Sequence, residues 1–203
     1  VASFRAALVE ADDLHGGEQR IEFAQNARNR LKMEGLEIVS PAGCTRLADD
    51  SVTIKQGERV LVTGDPGAGK TLFFRALAGL WPWGKGRIEM PKGETMFFFP
   101  RTPYLPRGSL RRVLSYPLEA GVFSDGVLEA ALKRVRLGRL AAALDREARW
   151  DKELNEDDQR LLAFARLAVH KPNWVVIDES LDALDASCRR DIYSLLENEL
   201  PRS

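Results

Sequence analysis

Three short apolar runs dominate the hydrophobic pattern of the chain. Residues 59–63, 96–99 and 174–177 are largely apolar, without the alternation of polar and apolar positions that marks a half-exposed strand. Continuous runs of this length are typical of strands buried on both faces of a parallel sheet. We therefore predict an α/β domain whose core is a mainly parallel sheet.

Helical periodicity fills the stretch between the second and third runs. Apolar residues recur every three or four positions over 127–135, 137–144 and 161–169, as expected of helices that bury one face. One crossover between two parallel strands needs far less helix than this. The pattern therefore predicts a helical subdomain, at about 106–172, inserted into the sheet domain.

Weaker strand signals precede the first run. Residues 36–39 and 52–54 have the composition of strands, and a turn is predicted at 41–43. Together they predict an N-terminal antiparallel β piece in a domain that begins near Glu34. Residues 1–33 contain few β-branched residues, which favours a helix followed by a linker.

The overall composition limits the classes of protein to which the chain can belong. Of 203 residues, 44% are hydrophobic, and 30 lysines and arginines balance 30 aspartates and glutamates. This balance favours a globular domain with a core and gives no positive surplus for binding nucleic acid, which is not expected as a partner. No apolar run approaches the ~18 residues of a membrane span. Cys44 and Cys188 lack the spacing of metal ligands.

A glycine-rich segment after the first run carries the strongest chemical signal. Residues 64–71, GDPGAGKT, fit the pattern G-x-x-x-x-G-K-[ST], between a predicted strand and a helix predicted at 72–80. Such a phosphate loop surrounds a polyphosphate with backbone N–H groups, while Lys70 reaches the β and γ phosphates and the Thr71 hydroxyl binds Mg²⁺. The predicted nucleotide contacts are Gly64, Asp65, Pro66, Gly67, Ala68, Gly69, Lys70, Thr71 and Leu72.

Two carboxylates follow the third apolar run. In phosphate-loop enzymes an acid in the place of Asp178 holds Mg²⁺ through its water shell, and one in the place of Glu179 orients or deprotonates the attacking water. Acidic residues also commonly cap the loop after a strand, so this pair alone is weak evidence. Together with the phosphate loop, it predicts a catalytic role for Glu179 and Lys70.

Further motifs resemble those of a known family. Beside the phosphate loop and the Asp178-Glu179 pair, they are ALAGLWP at 76–82, FPRTPYLP at 99–106, LLAFAR at 161–166 and ALD at 183–185. Over about residues 34–203 the chain resembles the nucleotide-binding domain of an ABC transporter. The resemblance is to the group that fuses permease and ATPase, which includes bacterial peptide and cobalamin transporters and peroxisomal fatty-acyl transporters.

The resemblance implies a function. It implies ATP and Mg²⁺ as cofactors, ATP hydrolysis coupled to transport, a permease domain in the same or a partner chain, and a dimer with an identical or different second nucleotide-binding domain. It places the domain at the cytoplasmic face of a membrane, with the bacterial inner membrane favoured. It also implies that residues 1–33 follow a missing membrane domain and that residues 34–203 are truncated at the C-terminal end.

The resemblance fails at the signature segment, which we define as residues 155–158. Where the family has the Ser-Gly-Gly of LSGGQ, the chain has Asn155, Glu156 and Asp157, followed by Asp158. In the family this segment covers the γ-phosphate of ATP bound to the opposing subunit, so here carboxylates would face a polyanion. The same residues also suit a helix start, because Asn is a strong N-cap and acids favour the first turn.

Other positions also depart from the family pattern. Arg101 stands where the family has a Gln that contacts Mg²⁺, and no aromatic lies near 38–41 to stack on adenine. The switch histidine is expected beyond Ser203, while His170 is predicted to cap a helix. These departures leave open a regulatory module that binds MgATP but hydrolyses it slowly or not at all. A small-molecule kinase or GTPase is disfavoured by the long helical insert and the absence of a separate lid.

Overall fold

The chain forms two compact units, Val1–Glu94 and Thr95–Ser203, which we describe separately. The computed structural model describes residues 19–41, 43–179, 181 and 184–198. Residues 1–18, on which part of the predicted helix and linker falls, lie outside the described range. In both units, strands and helices form around clusters of buried apolar side chains.

The first unit is built on a five-stranded sheet. Its strands are β1 (Glu22–Asn26), β2 (Arg30–Ser40), β3 (Gly43–Arg46), β4 (Ser51–Lys55) and β5 (Gly84–Pro91). β5 lies between β1 and β2, parallel to β1 and antiparallel to β2. The other edge of β2 pairs antiparallel with β4 along its first half and with β3 along its second half. β2 therefore organises the unit.

An irregularity in β2 keeps its apolar residues on the buried side. Leu31 and Met33 are buried with a period of two, and so are Leu36 and Ile38, but one residue extra separates the two pairs. The pairing of β2 with β5 shifts register at this point, between 34 and 37. A shift of one position would otherwise turn the second half of the strand to the opposite face.

The single helix described in the first unit, α1 (Lys70–Leu77), packs against β2. It buries Phe73, Phe74, Ala76 and Leu77.

Two predictions for this unit are wrong. Residues 22–26 and 30–33 lie in strands, not in a helix and linker. Residues 59–63 form no strand, and Leu61 within them is 84% exposed. An apolar run favours burial, but a strand also needs a neighbouring strand with which to form hydrogen bonds. β2 cannot be that neighbour for residues 59–63, because it is already paired along both of its edges. The antiparallel β piece is confirmed, and it begins before the predicted boundary at Glu34.

The second unit contains the two remaining apolar runs as paired strands. β6 (Met96–Phe99) and β9 (Trp174–Ile177) are parallel strands, as predicted, and they pair with each other. A short antiparallel pair joins β7 (Gly108–Ser109) to β8 (Glu147–Ala148). The helices are α2 (Leu110–Ser115), α3 (Asp125–Arg134), a 3-10 helix (Gly138–Ala143), α4 (Trp150–Glu153), α5 (Glu156–His170) and α6 (Ala186–Asn198). The predicted helical region is confirmed; the β7–β8 pair within it was not predicted.

Helix α5 is the core of this unit. Eight of its fifteen residues are buried, and it packs against α2 and α3. The ring of Phe164 stacks on that of Phe99 in β6, with centroids 5.2 Å apart, which ties the helix to the strand pair. At the end of α5, the His170 ring nitrogen Nε2 lies 3.1 Å from the Leu114 carbonyl oxygen. The predicted cap therefore serves the last turn of α2, not of α5.

The register shift in β2 generates a stability prediction. Gly86 of β5 has φ +93°, and a Cβ there would lie 2.4 Å from the Gly35 carbonyl oxygen. Gly86→Ala should therefore lower the free energy of unfolding by roughly 3 kcal/mol or more, since backbone strain and a backbone clash add. Urea unfolding followed by tryptophan fluorescence measures this loss.

A matched control separates the two causes. Gly93 has φ +77°, but nothing lies within 4 Å of a Cβ placed there. Gly93→Ala should lose only about 1 kcal/mol, the cost of the left-handed backbone. Equal losses in the two variants would show that the close approach of Gly86 to Gly35 does not constrain the sheet.

Candidate functional site

The phosphate loop leads directly into α1. Gly67 and Gly69 both have positive φ, at 83° and 89°, a conformation that residues with a Cβ rarely adopt. Gly69 is the N-cap of α1, with no side-chain capping bond and no acidic residue in the first turn of the helix. The positive end of the helix dipole therefore faces the loop without a competing carboxylate from that turn.

A close approach positions this helix start on the sheet. A Cβ on Gly69 would lie 2.2 Å from the Thr45 hydroxyl oxygen on β3. Glycine is therefore needed here both for its backbone conformation and for the contact with β3. The contact places the phosphate loop beside the β2–β3 hairpin.

Lys70 folds back over the loop that precedes it. Its Nζ donates hydrogen bonds to the carbonyl oxygens of Gly64, at 3.0 Å, and Asp65, at 3.4 Å. The ammonium group of Lys70 therefore lies against the backbone of the loop. Thr71 and Leu72 continue the first turn of α1, with Thr71 exposed.

The two predicted acidic residues lie at the end of β9 in different environments. Asp178 is 7% exposed, and its N–H donates to the Phe99 carbonyl oxygen at 2.8 Å, which extends the β6–β9 pairing. Glu179 is exposed and has φ +52°, a left-handed conformation that costs free energy for a residue with a Cβ. The turn after β9 therefore buries one carboxylate and presents the next one to solvent.

The signature segment forms the start of α5. Asn155 is the N-cap, and its side-chain oxygen accepts a hydrogen bond from the Asp158 N–H at 2.8 Å. This confirms the predicted N-cap role of Asn155. Glu156, Asp157 and Asp158 occupy the first turn, where they complement the helix dipole.

Arginines of the same unit pair with all three acids. Arg160 bonds Glu156 at 2.9 Å and Asp157 at 3.0 Å, and Arg139 bonds Asp158. Sequence analysis missed both arginines. The spacing of Arg160, three and four residues after its partners, is a signal that could have found it. No comparable signal exists for Arg139, which lies outside α5.

The remaining residues singled out by the sequence are Arg101 and the segment near residue 185. Arg101 lies exposed in the bend after β6. Asp185 accepts hydrogen bonds from the N–H groups of Cys188 and Ser187 and from the Ser187 hydroxyl, which hold its pKa well below the usual range. Ala183 lies outside the described residues.

The predicted site residues are divided between the two units. Gly64 to Leu72 belong to the first unit, and Arg101, the signature segment, Asp178 and Glu179 belong to the second. Among the described residues there is no cluster of three or more His, Cys, Asp or Glu side chains that could hold a metal ion.

A sequence profile of the family described as "ABC transporter" matches residues 47–182. The chain belongs to the ABC transporter family. An uncharacterised ABC transporter ATP-binding protein of Haemophilus influenzae is 37% identical over 84% of the chain, and ATP-binding cassette sub-family D member 3 of Rattus norvegicus is 33% identical over 83%. The match spans 28% and 27% of those two proteins, so the chain corresponds to about a quarter of its relatives. The predicted resemblance is confirmed.

A solved structure confirms the fold class. A bacterial Atm1-family ABC exporter with ATP bound superposes with a TM-score of 0.71, at 22% identity, over 98% of this chain and 39% of that one. The chain thus has the fold of an ABC ATPase domain, a phosphate-loop α/β fold. No helix within the described part of the chain is long and apolar enough to cross a membrane.

The N-cap of α5 generates the second prediction. Asn155→Ala removes the bond to the Asp158 N–H and should lower the free energy of unfolding by about 1 kcal/mol, while Asn155→Ser should keep most of it. Ser124 is the matched control, because it is the N-cap of α3 but makes no side-chain capping bond. Urea unfolding measured by circular dichroism should show almost no change for Ser124→Ala. If Asn155→Ala is equally neutral, the cap does not stabilise α5.

Proposed function

We propose that the chain is the ATP-binding and ATP-hydrolysing domain of a membrane transporter. The observation that carries this proposal is the phosphate loop, with Lys70 folded over it and an uncapped helix start behind it. Loop N–H groups and the helix end would bind the phosphates, and Lys70 would exchange its bonds to Gly64 and Asp65 for the β and γ phosphates. The ATP bound in the similar exporter supports this choice of nucleotide.

Hydrolysis is assigned to the turn after β9. Glu179 is the only one of the two acids that solvent reaches freely, so it is the proposed general base for the attacking water. Thr71 and Asp178 would hold Mg²⁺, the carboxylate through water, and the ion would offset the charge that develops on the transferred phosphoryl group.

The proposed partners are a permease domain and a second nucleotide-binding domain. The second unit exposes several large apolar side chains by 40% or more: Tyr104, Tyr116, Leu118, Val122 and Val127. The rings of Tyr104 and Tyr116 pack edge to face, 5.3 Å apart. Exposed apolar side chains of this kind fit an interface, and the greater length of the relatives supports a membrane domain as its occupant. The domain would then lie at the cytoplasmic face of a membrane.

The ion pairs of the signature segment change the electrostatic repulsion expected in the proposed dimer. Glu156 and Asp157 share Arg160, so the segment that would approach the opposing nucleotide carries a guanidinium beside its carboxylates. The repulsion expected from the acids alone is thereby reduced. This pairing favours the hydrolysing dimer.

The third prediction tests nucleotide binding. Lys70→Ala should abolish measurable binding of MgATP in calorimetric titrations, because it removes the charge nearest the phosphates. Lys92→Ala, which alters an exposed lysine of the same unit, should leave the dissociation constant unchanged. Equal affinity in the wild type and Lys70→Ala would contradict the assignment of the phosphate loop.

The fourth prediction tests hydrolysis. Glu179→Gln should lower steady-state phosphate release from MgATP by at least ~100-fold, the usual contribution of a general base, with nucleotide binding retained. Glu119→Gln, at an exposed acid of the same unit, is the control and should keep wild-type turnover. Equal turnover in the wild type and Glu179→Gln would contradict the assignment of Glu179 as the general base.

A further inference from the structure

Three charged residues form a row across the sheet of the first unit. Arg46 of β3, Glu37 of β2 and Lys85 of β5 lie side by side, because Glu37 pairs in register with both of the others. One carboxylate oxygen of Glu37 accepts from Arg46 Nε at 2.6 Å and from Lys85 Nζ at 3.0 Å. We call these three residues the charged ladder. It connects the edge strand β3 to the two strands beside it.

The Glu37 carboxylate is more constrained than that of an isolated surface ion pair. Its side chain is only 15% exposed. Hydrogen bonds from the Cys44 thiol, Lys85 and Arg46 lower the pKa of Glu37 to about 2, so the carboxylate is ionised at neutral pH. An isolated surface pair contributes little to stability, whereas a carboxylate shared by several donors forms a network.

The short strand β3 has little else to fix its register. It has four residues, of which three are exposed and Thr45 is half-buried. Register is strongly specified where one face of a strand is buried and weakly specified where it is not. The pairing of Arg46 with Glu37 therefore provides a specific signal for the alignment of β3 on β2.

The charged ladder is one residue away from the contact that positions the phosphate loop. Thr45 precedes Arg46, and its hydroxyl oxygen would lie 2.2 Å from a Cβ on Gly69. Successive residues of a strand face opposite sides of the sheet, so the ladder lies on one face and the Gly69 contact on the other. A slip of β3 by one residue would exchange the two faces and turn Thr45 away from Gly69.

We propose that Glu37 is a positioning residue for the phosphate loop, which fixes the register of β3 through Arg46 and so holds Thr45 against Gly69. The proposal rests on the proposed function, since this loop is the proposed nucleotide site. Glu37 acts on the loop that binds the phosphates. Its removal should therefore weaken a bare polyphosphate as much as it weakens ATP.

The experiment measures binding and stability on the same variants of the full chain. Calorimetry gives the affinities for MgATP and magnesium tripolyphosphate, and urea unfolding gives the free energy of unfolding. Glu37→Gln should weaken both probes about fivefold, the upper range for one exposed ion pair. Arg46→Met should have a similar effect, while Arg46→Lys, which keeps the charge, should retain most of the affinity. The double variant of Glu37→Gln and Arg46→Met should be no weaker than either single variant, because both remove one interaction.

Glu34→Gln is the matched control. Glu34 also lies on β2 and also forms an ion pair, with Lys32, but it pairs in register with Ser51 of β4 and not with β3. This variant loses an ion pair from the same strand, so it should lower the free energy of unfolding. It should leave both affinities within twofold of the wild type.

Each contrary outcome contradicts a different step. Unchanged affinities in Glu37→Gln, or a loss confined to MgATP, would overturn the positioning role and leave the proposed function intact. Equal weakening by Glu34→Gln would also overturn it, since the effect would then follow from stability alone. Additive losses in the double variant would overturn the route through Arg46. A wild type that binds neither probe would overturn the proposed function and this inference together.

Discussion

The contact between Gly69 and Thr45 is the constraint on which the first unit depends. It allows the N-cap residue of α1 to lie against β3 without an intervening side chain, in a left-handed conformation that turns the loop toward the start of the helix. β3 in turn is held by β2, whose register shift keeps Ile38 on the buried face. The pairing of β2 therefore determines where the phosphate loop lies, and a change of register in that strand would displace the loop.

The sequence predicted the elements whose signal is local and missed those that depend on pairing. β6 and β9 were predicted residue by residue because each is a short apolar run, and the loop was predicted because its glycines and lysine are adjacent in sequence. Residues 59–63 have the same kind of pattern, yet they form no strand. β1, by contrast, has no apolar run, and its place in the sheet comes from pairing with β5, where each residue pairs with one 65 positions later in the chain.

The charges at the start of α5 show that the candidate site, too, could be predicted from the sequence only in part. The sequence identified three acids and the N-cap correctly, but their electrostatic effect depends on Arg160 and Arg139. A helix pairing at i, i+4 can be anticipated, whereas Arg139 reaches Asp158 only through the packing of the 3-10 helix near α5. The net field at this helix start is therefore a property of the tertiary structure, and the motif alone overestimates its negative charge.

A buried arginine ties α5 to α2 and to the segment that follows β6. Arg166 on α5 donates to the carbonyl oxygens of Val113 and Tyr104, and burial lowers its pKa to about 10, so it is charged at neutral pH. A buried cation bonded to two carbonyls strongly resists displacement, because moving it would leave the charge without partners. The bond to Tyr104 braces the segment that contains Arg101 against the helix that begins with the signature segment. The same bond links α5 to the surface on which Tyr104 and Tyr116 are exposed, and this surface is the proposed contact with the permease.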